Sequence, residues 1–181
     1  MLDEEQLLQE LINPHTANNA FAKLVSEYSE RLYWQIRKMV LSHDDANDIL
    51  QDVFIKVWQN LDNFRGESKL STWLYRIAIN ESITFINKKR KENNISIDED
   101  DSFLINTLES DTYFDGDEAQ KLLQAAVLTL PDKQRLVFQM KYFDEMKYDD
   151  ISDIVGTSVG ALKASYHHAV KKVEKFLSEP R

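Results

Sequence analysis

The chain has 181 residues, enough for one ordinary domain or two small ones, and 43% of them are hydrophobic while only 4 are Gly and 3 are Pro, a composition that suits a helical globular protein. A formal net charge of -9 argues at first sight against a nucleic-acid partner, and the absence of Cys excludes disulfides and thiolate metal sites. No run approaches the ~18 apolar residues of a membrane span, and the acidic start MLDEEQLLQEL lacks a basic flank before an apolar core, so a soluble cytoplasmic protein without membrane insertion is expected.

In chain order, a short helix is expected from near Asp3 until Asn13-Pro14 interrupts it. Apolar residues at Phe21, Leu24, Val25, Tyr28, Leu32, Ile36, Met39 and Val40 then keep helical spacing. Ile49, Leu50, Val53, Phe54, Val57, Trp58 and Leu61 do the same in the following segment, with Asp44, Asp45 and Asp48 near its N-terminus, where the helix dipole favours acids. Opposite that apolar stripe, Asp48, Gln51 and Asp52 make a compact polar patch.

FRGES breaks the pattern, and KLSTWLYRIAINESITFINKKRK resumes it. At 100° per residue, Trp73, Arg76, Asn80, Thr84, Asn87 and Lys91 fall within about 80° of one another. Leu70, Leu74, Ile77 and Ala78 occupy a neighbouring sector, and Ile79, Ile83 and Ile86 lie roughly opposite, which predicts a helix packed on both flanks. A stripe joining an indole, amides and cations has the chemistry to stack on unpaired bases, bond their edges and hold phosphates.

Charge is unevenly divided. Residues 65–91 carry 7 basic and 2 acidic groups, whereas 92–118 carry no basic and 10 acidic ones. The acidic stretch has no sustained period and is expected to be a linker between two helical domains, 1–91 and 119–181, with Phe103, Leu104, Ile105 and Leu108 as a docking segment within it. The -9 therefore hides a basic segment of the kind nucleic acid attracts.

The second block opens at LPDKQRLVFQMKYF, with Pro131 expected in the first helical turn and Leu136, Val137, Met140 and Phe143 facing inward. A two-turn helix is expected to end at Gly156, Thr157 and Ser158 to form the turn and N-cap, and a longer helix to run through Leu177, the order of a helix-turn-helix. On that last helix Leu162, Tyr166, Ala169, Val170, Val173 and Phe176 read as core. Lys163, His167 and Lys171 line one exposed row, with Ala164 and His168 beside it, the row a helix-turn-helix turns toward the major groove. Adjacent His167 and His168 point in different directions and make a poor metal pair. No nucleophile arrangement, glycine-rich phosphate loop or metal-ligand spacing occurs, so neither an enzyme nor a cofactor is expected.

DANDILQDVFIKVWQNLDNFRGESKLSTWLYRIAINESITFINKKRK and LPDKQRLVFQMKYFDEMKYDDISDIVGTSVGALKASYHHAVKK, in that order and separated by an acidic joint, resemble the extracytoplasmic-function (ECF) group of bacterial RNA polymerase sigma factors of the sigma-70 type. The most specific pieces are FRG, TWLYRIAIN and the spacing of Asp48, Gln51, Asp52 and Phe54. The resemblance implies an all-α fold of two helical domains that binds core RNA polymerase and promoter DNA. Asp48, Gln51, Asp52 and Phe54 would belong to the polymerase-binding segment. Arg65, Ser68 and Lys69 in the loop, with Trp73, Arg76, Asn80, Thr84, Asn87, Lys88 and Lys91 on the helix, would capture a flipped base and support the melted minus-ten DNA. Ser158, Lys163, Ala164, His167, His168 and Lys171 would meet the minus-thirty-five duplex, and an anti-sigma factor is the customary restraint in this group. Family members often place two basic residues, spaced by one, early in the recognition helix, where this chain has Lys163, Ala164 and Ser165. The alternative is a conventional helix-turn-helix regulator that binds duplex DNA without polymerase.

Overall fold

The computed structural model describes residues 3–64, 66–94, 104, 107–108 and 116–181, and among these all regular structure is helical. The chain divides into two compact units, 1–89 and 90–181. The first contains α1 (Glu4–Ile12), α2 (Ala17–Val40), α3 (His43–Gln59), a 3-10 turn at Leu61–Asn63 and most of α4 (Leu70–Glu92).

Local chemistry sets these boundaries. Asp3 caps α1 by accepting from the Glu5 and Gln6 amides, and Asn13 closes it just before Pro14. Thr16 makes no side-chain cap for α2; its hydroxyl donates instead to the Glu10 carbonyl at 2.7 Å, tying the two helices together. Arg37 and Lys38 occupy the last turn of α2, where cations complement the dipole. The helix then stops at Leu41, a left-handed residue with φ 67° whose N–H bonds back to the Arg37 carbonyl. Ser42 starts α3 at once by accepting from Asp45, and Asp44 and Asp45 fill its first turn. Helix α2 packs on both α1 and α3, burying Leu7, Leu24, Leu32, Ile36, Val53 and Val57. Each such side chain contributes roughly 1.5–3 kcal/mol relative to exposure. Gln35 lies in the same interior at 1% exposure, and neither its Oε1 nor its Nε2 has a hydrogen-bond partner.

The second unit contains α5 (Glu118–Leu128), α6 (Asp132–Phe138) continued by a π-helical turn at Gln139–Phe143, α7 (Tyr148–Val155) and α8 (Val159–Ser178). Asp117 caps α5 through the Gln120 amide. Pro131 was expected inside the first turn of α6 but stands at the N-cap, with φ -55° and ψ 149°. The extended ψ keeps it outside the helix, which Asp132 opens. Ala126, Val127, Leu130, Phe138, Ala169 and Val173 form the core of this unit, with Leu123, Phe143, Tyr166, Val170 and Phe176 packed against it. Gly156 ends α7 with φ 73°, a conformation that side chains bearing a Cβ adopt only with strain. The Ser152 hydroxyl donates to the Thr157 carbonyl, and Ser158 caps α8 through the Ala161 amide, so the two-helix turn is closed by its own hydrogen bonds.

Of the proposed docking segment, Phe103 and Ile105 lie outside the described residues, while Leu104 and Leu108 are buried.

Candidate polymerase and nucleic-acid interfaces

On α3, Asp48, Gln51 and Asp52 are all exposed along one side. Phe54 does not join them: it is 8% exposed and meets Phe21 of α2 edge-on, ring centroids 6.3 Å apart. The polar face is continued instead by Ile55 and by Trp58, which is 43% exposed although its spacing placed it in the apolar stripe. Trp58 rests edge-on against Phe21 at 4.9 Å. Asn18, Phe21, Phe54, Ile55, Trp58 and Gln59 border a groove of about 420 Å³. The surface thus joins two carboxylates and an amide to an apolar anchor, the mixture that suits a protein partner rather than a phosphate backbone.

The candidate base-reading row on α4 emerges on one side. Asn80, Thr84, Asn87, Lys88 and Lys91 are exposed, and Trp73 and Arg76 are half-buried. Phe64 lies against the Trp73 indole, ring centroids 4.9 Å apart, so the indole is held from one side by the residue that closes the 3-10 turn. The Thr84 hydroxyl donates to the Asn80 main-chain carbonyl at 2.9 Å, and the side-chain amide of exposed Asn80 carries both a donor and an acceptor at mid-row. Leu70, Leu74, Ala78, Ile79 and Ile86 are buried as expected, but Ile83 is 39% exposed and borders the polar row near Arg76. In the preceding loop, Ser68 is half-buried and Lys69 exposed; Arg65 lies outside the described residues.

The four-residue basic run does not act as one patch. Lys88 and Lys91 are exposed, and Lys89 is half-buried with its ammonium 5.6 Å from the Phe85 ring centre. Arg90 is 4% exposed and, within the second unit, donates to both carboxylate oxygens of Asp132 at 2.8 and 2.9 Å. Those hydrogen bonds hold the Asp132 carboxyl below its ordinary range, outweighing the opposing effect of burial, with the charge of Arg135 adding to them.

On α8, Ser158, Lys163, Ala164, His167, His168 and Lys171 are all exposed, and Leu162, Ala169 and Val173 face the core. Sequence reading had no means of finding Tyr148, whose ring sits beneath two ammonium groups, Lys141 at 4.6 Å and Lys163 at 5.7 Å. Among the described residues no group of three His, Asp or Glu side chains is disposed to hold a metal ion, and no helix is long and apolar enough to cross a membrane.

Comparison with known proteins bears directly on these surfaces. Residues 24–92 match the family Sigma-70 region 2, and residues 120–173 match Sigma-70, region 4. The ECF RNA polymerase sigma factor SigW of Bacillus subtilis is 31% identical over 169 residues, covering 89% of this chain and 90% of its own. The chain belongs to the ECF sigma factors. The ECF RNA polymerase sigma-E factor of Escherichia coli is 25% identical over 163 residues, with 86% of this chain and 85% of the relative aligned. Two solved structures share the fold. CnrH, in complex with the cytosolic domain of CnrY, gives a TM-score of 0.69 at 20% identity and covers 96% of each chain. The sigma factor RpoE of Bartonella quintana, in complex with the anti-sigma factor NepR, gives 0.68 at 22% identity, covering 89% of this chain and 98% of its own. In this ECF sigma factor the region 2 match contains both the α3 patch and the α4 row, and the region 4 match contains the helix-turn-helix.

Proposed function

We propose that this ECF sigma factor divides its work among three surfaces. It binds core RNA polymerase and directs promoter recognition, melting and transcription initiation. Asp48, Gln51 and Asp52 grip the polymerase, with Ile55 and Trp58 as the apolar part of the contact and Phe54 supporting α3 from behind. The α4 row reads the melted minus-ten strand: Trp73 stacks, Asn80 bonds a base edge, and Arg76, Lys88 and Lys91 hold phosphates, with Thr84 and Asn87 beside them. Extruding a base costs a few kcal/mol of unstacking, which stacking and edge contacts offset. The face of α8 bearing Lys163, Ala164, His167, His168 and Lys171, with Ser158 at its start, meets the minus-thirty-five duplex. Residues 1–91 and 119–181 are the two working domains and 92–118 the acidic connection between them. The protein acts in the bacterial cytoplasm, catalyses no reaction, carries no cofactor, and is held in reserve by an anti-sigma factor.

The observation that carries this reading is the row on one face of α4, half-buried at Trp73 and Arg76 and exposed from Asn80 to Lys91, which places an indole, amides and ammonium groups together in a chain of otherwise acidic balance. Run-off transcription from a genomic fragment library, with core polymerase in the presence and absence of the protein, tests it. Transcripts that start only with the protein present, and share two upstream motifs at fixed spacing, are expected. Absence of such transcripts together with binding of duplex DNA by the protein alone would establish a conventional helix-turn-helix regulator instead.

A further inference from the structure

Helix α4 begins at Leu70. Its first hydrogen-bonded carbonyl is that of Lys69, which accepts from Trp73, so Lys69 stands where a capping side chain belongs. A lysine ammonium is a donor only and cannot accept from a first-turn amide. No acid occupies the first turn either. An acceptor comes from 66 residues earlier: the Glu4 carboxylate Oε1 accepts from the Leu70 amide.

The helix that supplies this carboxylate is itself anchored. Asp3 caps α1, Leu7 and Leu11 are buried beneath it, and it packs on both α2 and the 3-10 turn that leads into the loop before α4. Around Glu4 the contacts continue to α4. Tyr28 of α2 has its hydroxyl pushed up by burial and then by the nearby Glu4 charge, and the Arg31 guanidinium lies 5.4 Å from the Tyr28 ring centre and 5.9 Å from that of Tyr75 on α4. A negative group at the positive end of α4, held by a separate helix, stabilises that first turn.

We propose that Glu4 is a positioning residue for base capture: by capping Leu70 from α1, it sets the conformation of the segment 66–71 and the approach of α4 to a base flipped from the minus-ten strand. This rests on the reading of α4 as the minus-ten surface. The effect expected of Glu4→Ala is about a fivefold loss in open-complex formation, the equivalent of one capping contact of about 1 kcal/mol. Glu4→Gln keeps an acceptor oxygen without the charge and should lose about twofold. Binding of core polymerase should be unchanged in both, and Glu5→Ala, one residue away on the exposed side of α1, should behave as wild type.

The decisive experiment uses reconstituted holoenzyme on promoter templates in which an abasic nucleotide is moved one position at a time through the non-template minus-ten element. At the captured position the base is already missing, so wild type and Glu4→Ala should form open complexes equally; at every other position the fivefold gap should persist. A gap that survives at all positions, equal activity on the intact promoter, or an equal loss in Glu5→Ala overturns the proposal. If Glu4→Ala fails to fold by circular dichroism, Glu4→Gln is carried through the same series with its twofold gap as the readout. Amide hydrogen exchange on the free protein reports the cap without DNA: the Leu70 amide should lose protection in Glu4→Ala while α3 keeps its own, and unchanged protection refutes the cap. A wild-type holoenzyme that initiates nowhere would refute the minus-ten reading itself, an outcome distinct from either failure above.

Discussion

Replacing Lys163 and Lys171 together by glutamine probes the contact between α8 and duplex DNA. Both side chains are exposed and lie eight residues apart on one helix. At 1.5 Å per residue that separation is about 12 Å along the axis, close to the width of the major groove, so a helix lying across the groove sets one ammonium near each wall. Every phosphate contact contributes about 0.9 to the slope of log affinity against log salt, and two contribute about 1.8. Between about 50 and 200 mM salt the wild-type affinity should therefore fall roughly twelvefold further than that of the double variant. Fluorescence anisotropy of holoenzyme on a labelled minus-thirty-five duplex over a salt series measures this directly. Parallel slopes would refute the placement of these two ammonium groups at phosphates.

Three further outcomes are expected. Asn80→Ala should lower open-complex formation more than it lowers binding of core polymerase, and equal activity across a panel of minus-ten promoters would remove Asn80 from the base-reading row. Gln35→Met should raise the thermal or denaturant stability of the protein by about 1–2 kcal/mol, because it removes a buried amide with no partner and keeps the volume; a lower denaturation midpoint would show that the amide is satisfied in solution. Asp132 has a folded-state value below that of the unfolded chain, so its contribution is complete above about pH 3.9 and is lost as pH falls through the lowered value. Asp132→Asn should accordingly flatten the acid limb of the unfolding curve while leaving its shape near neutrality unchanged, and an acid limb as steep as wild type would argue against the Arg90 pair as its source.

Much of the helical framework was legible because its signals are local. Asp3, Ser158 and Gly156 sit where capping chemistry predicts, and the spacing of Leu24, Leu32 and Ile36 marks a buried face. The sites were legible as far as helix phase reaches: Asn80, Asn87, Lys163 and Lys171 are exposed as their wheel positions require. Phase fails at the edges of a stripe. Trp58 and Ile83 have the hydrophobicity of core residues and the angle of a border, and only the position of the neighbouring helix decides which prevails. Phe54 keeps the place in the apolar stripe that its spacing gives it and packs on Phe21, away from the Asp48, Gln51 and Asp52 side, because proximity in sequence does not keep residues on one face of a helix. Arg90 shows the same limit for charge, since a basic run looks uniform until one member finds Asp132. The Glu4 cap of Leu70 and the two ammonium groups over Tyr148 join residues with no periodic relation, so no reading of spacing could reveal them.

The left-handed leucine between α2 and α3 bears on the kinetics of assembly. Holding Leu41 at positive φ costs about 1–2 kcal/mol, and its burial at 4% exposure offsets this. With only Leu41 and Ser42 between the two helices, and Ser42 already engaged as a cap, the joint has little freedom to hinge. The α3 patch is therefore a preformed surface, and its docking should be a rigid encounter. Association with polymerase at this surface is then expected to be single-exponential, with a rate proportional to concentration and sensitive to salt through Asp48 and Asp52, without a slow folding or opening phase.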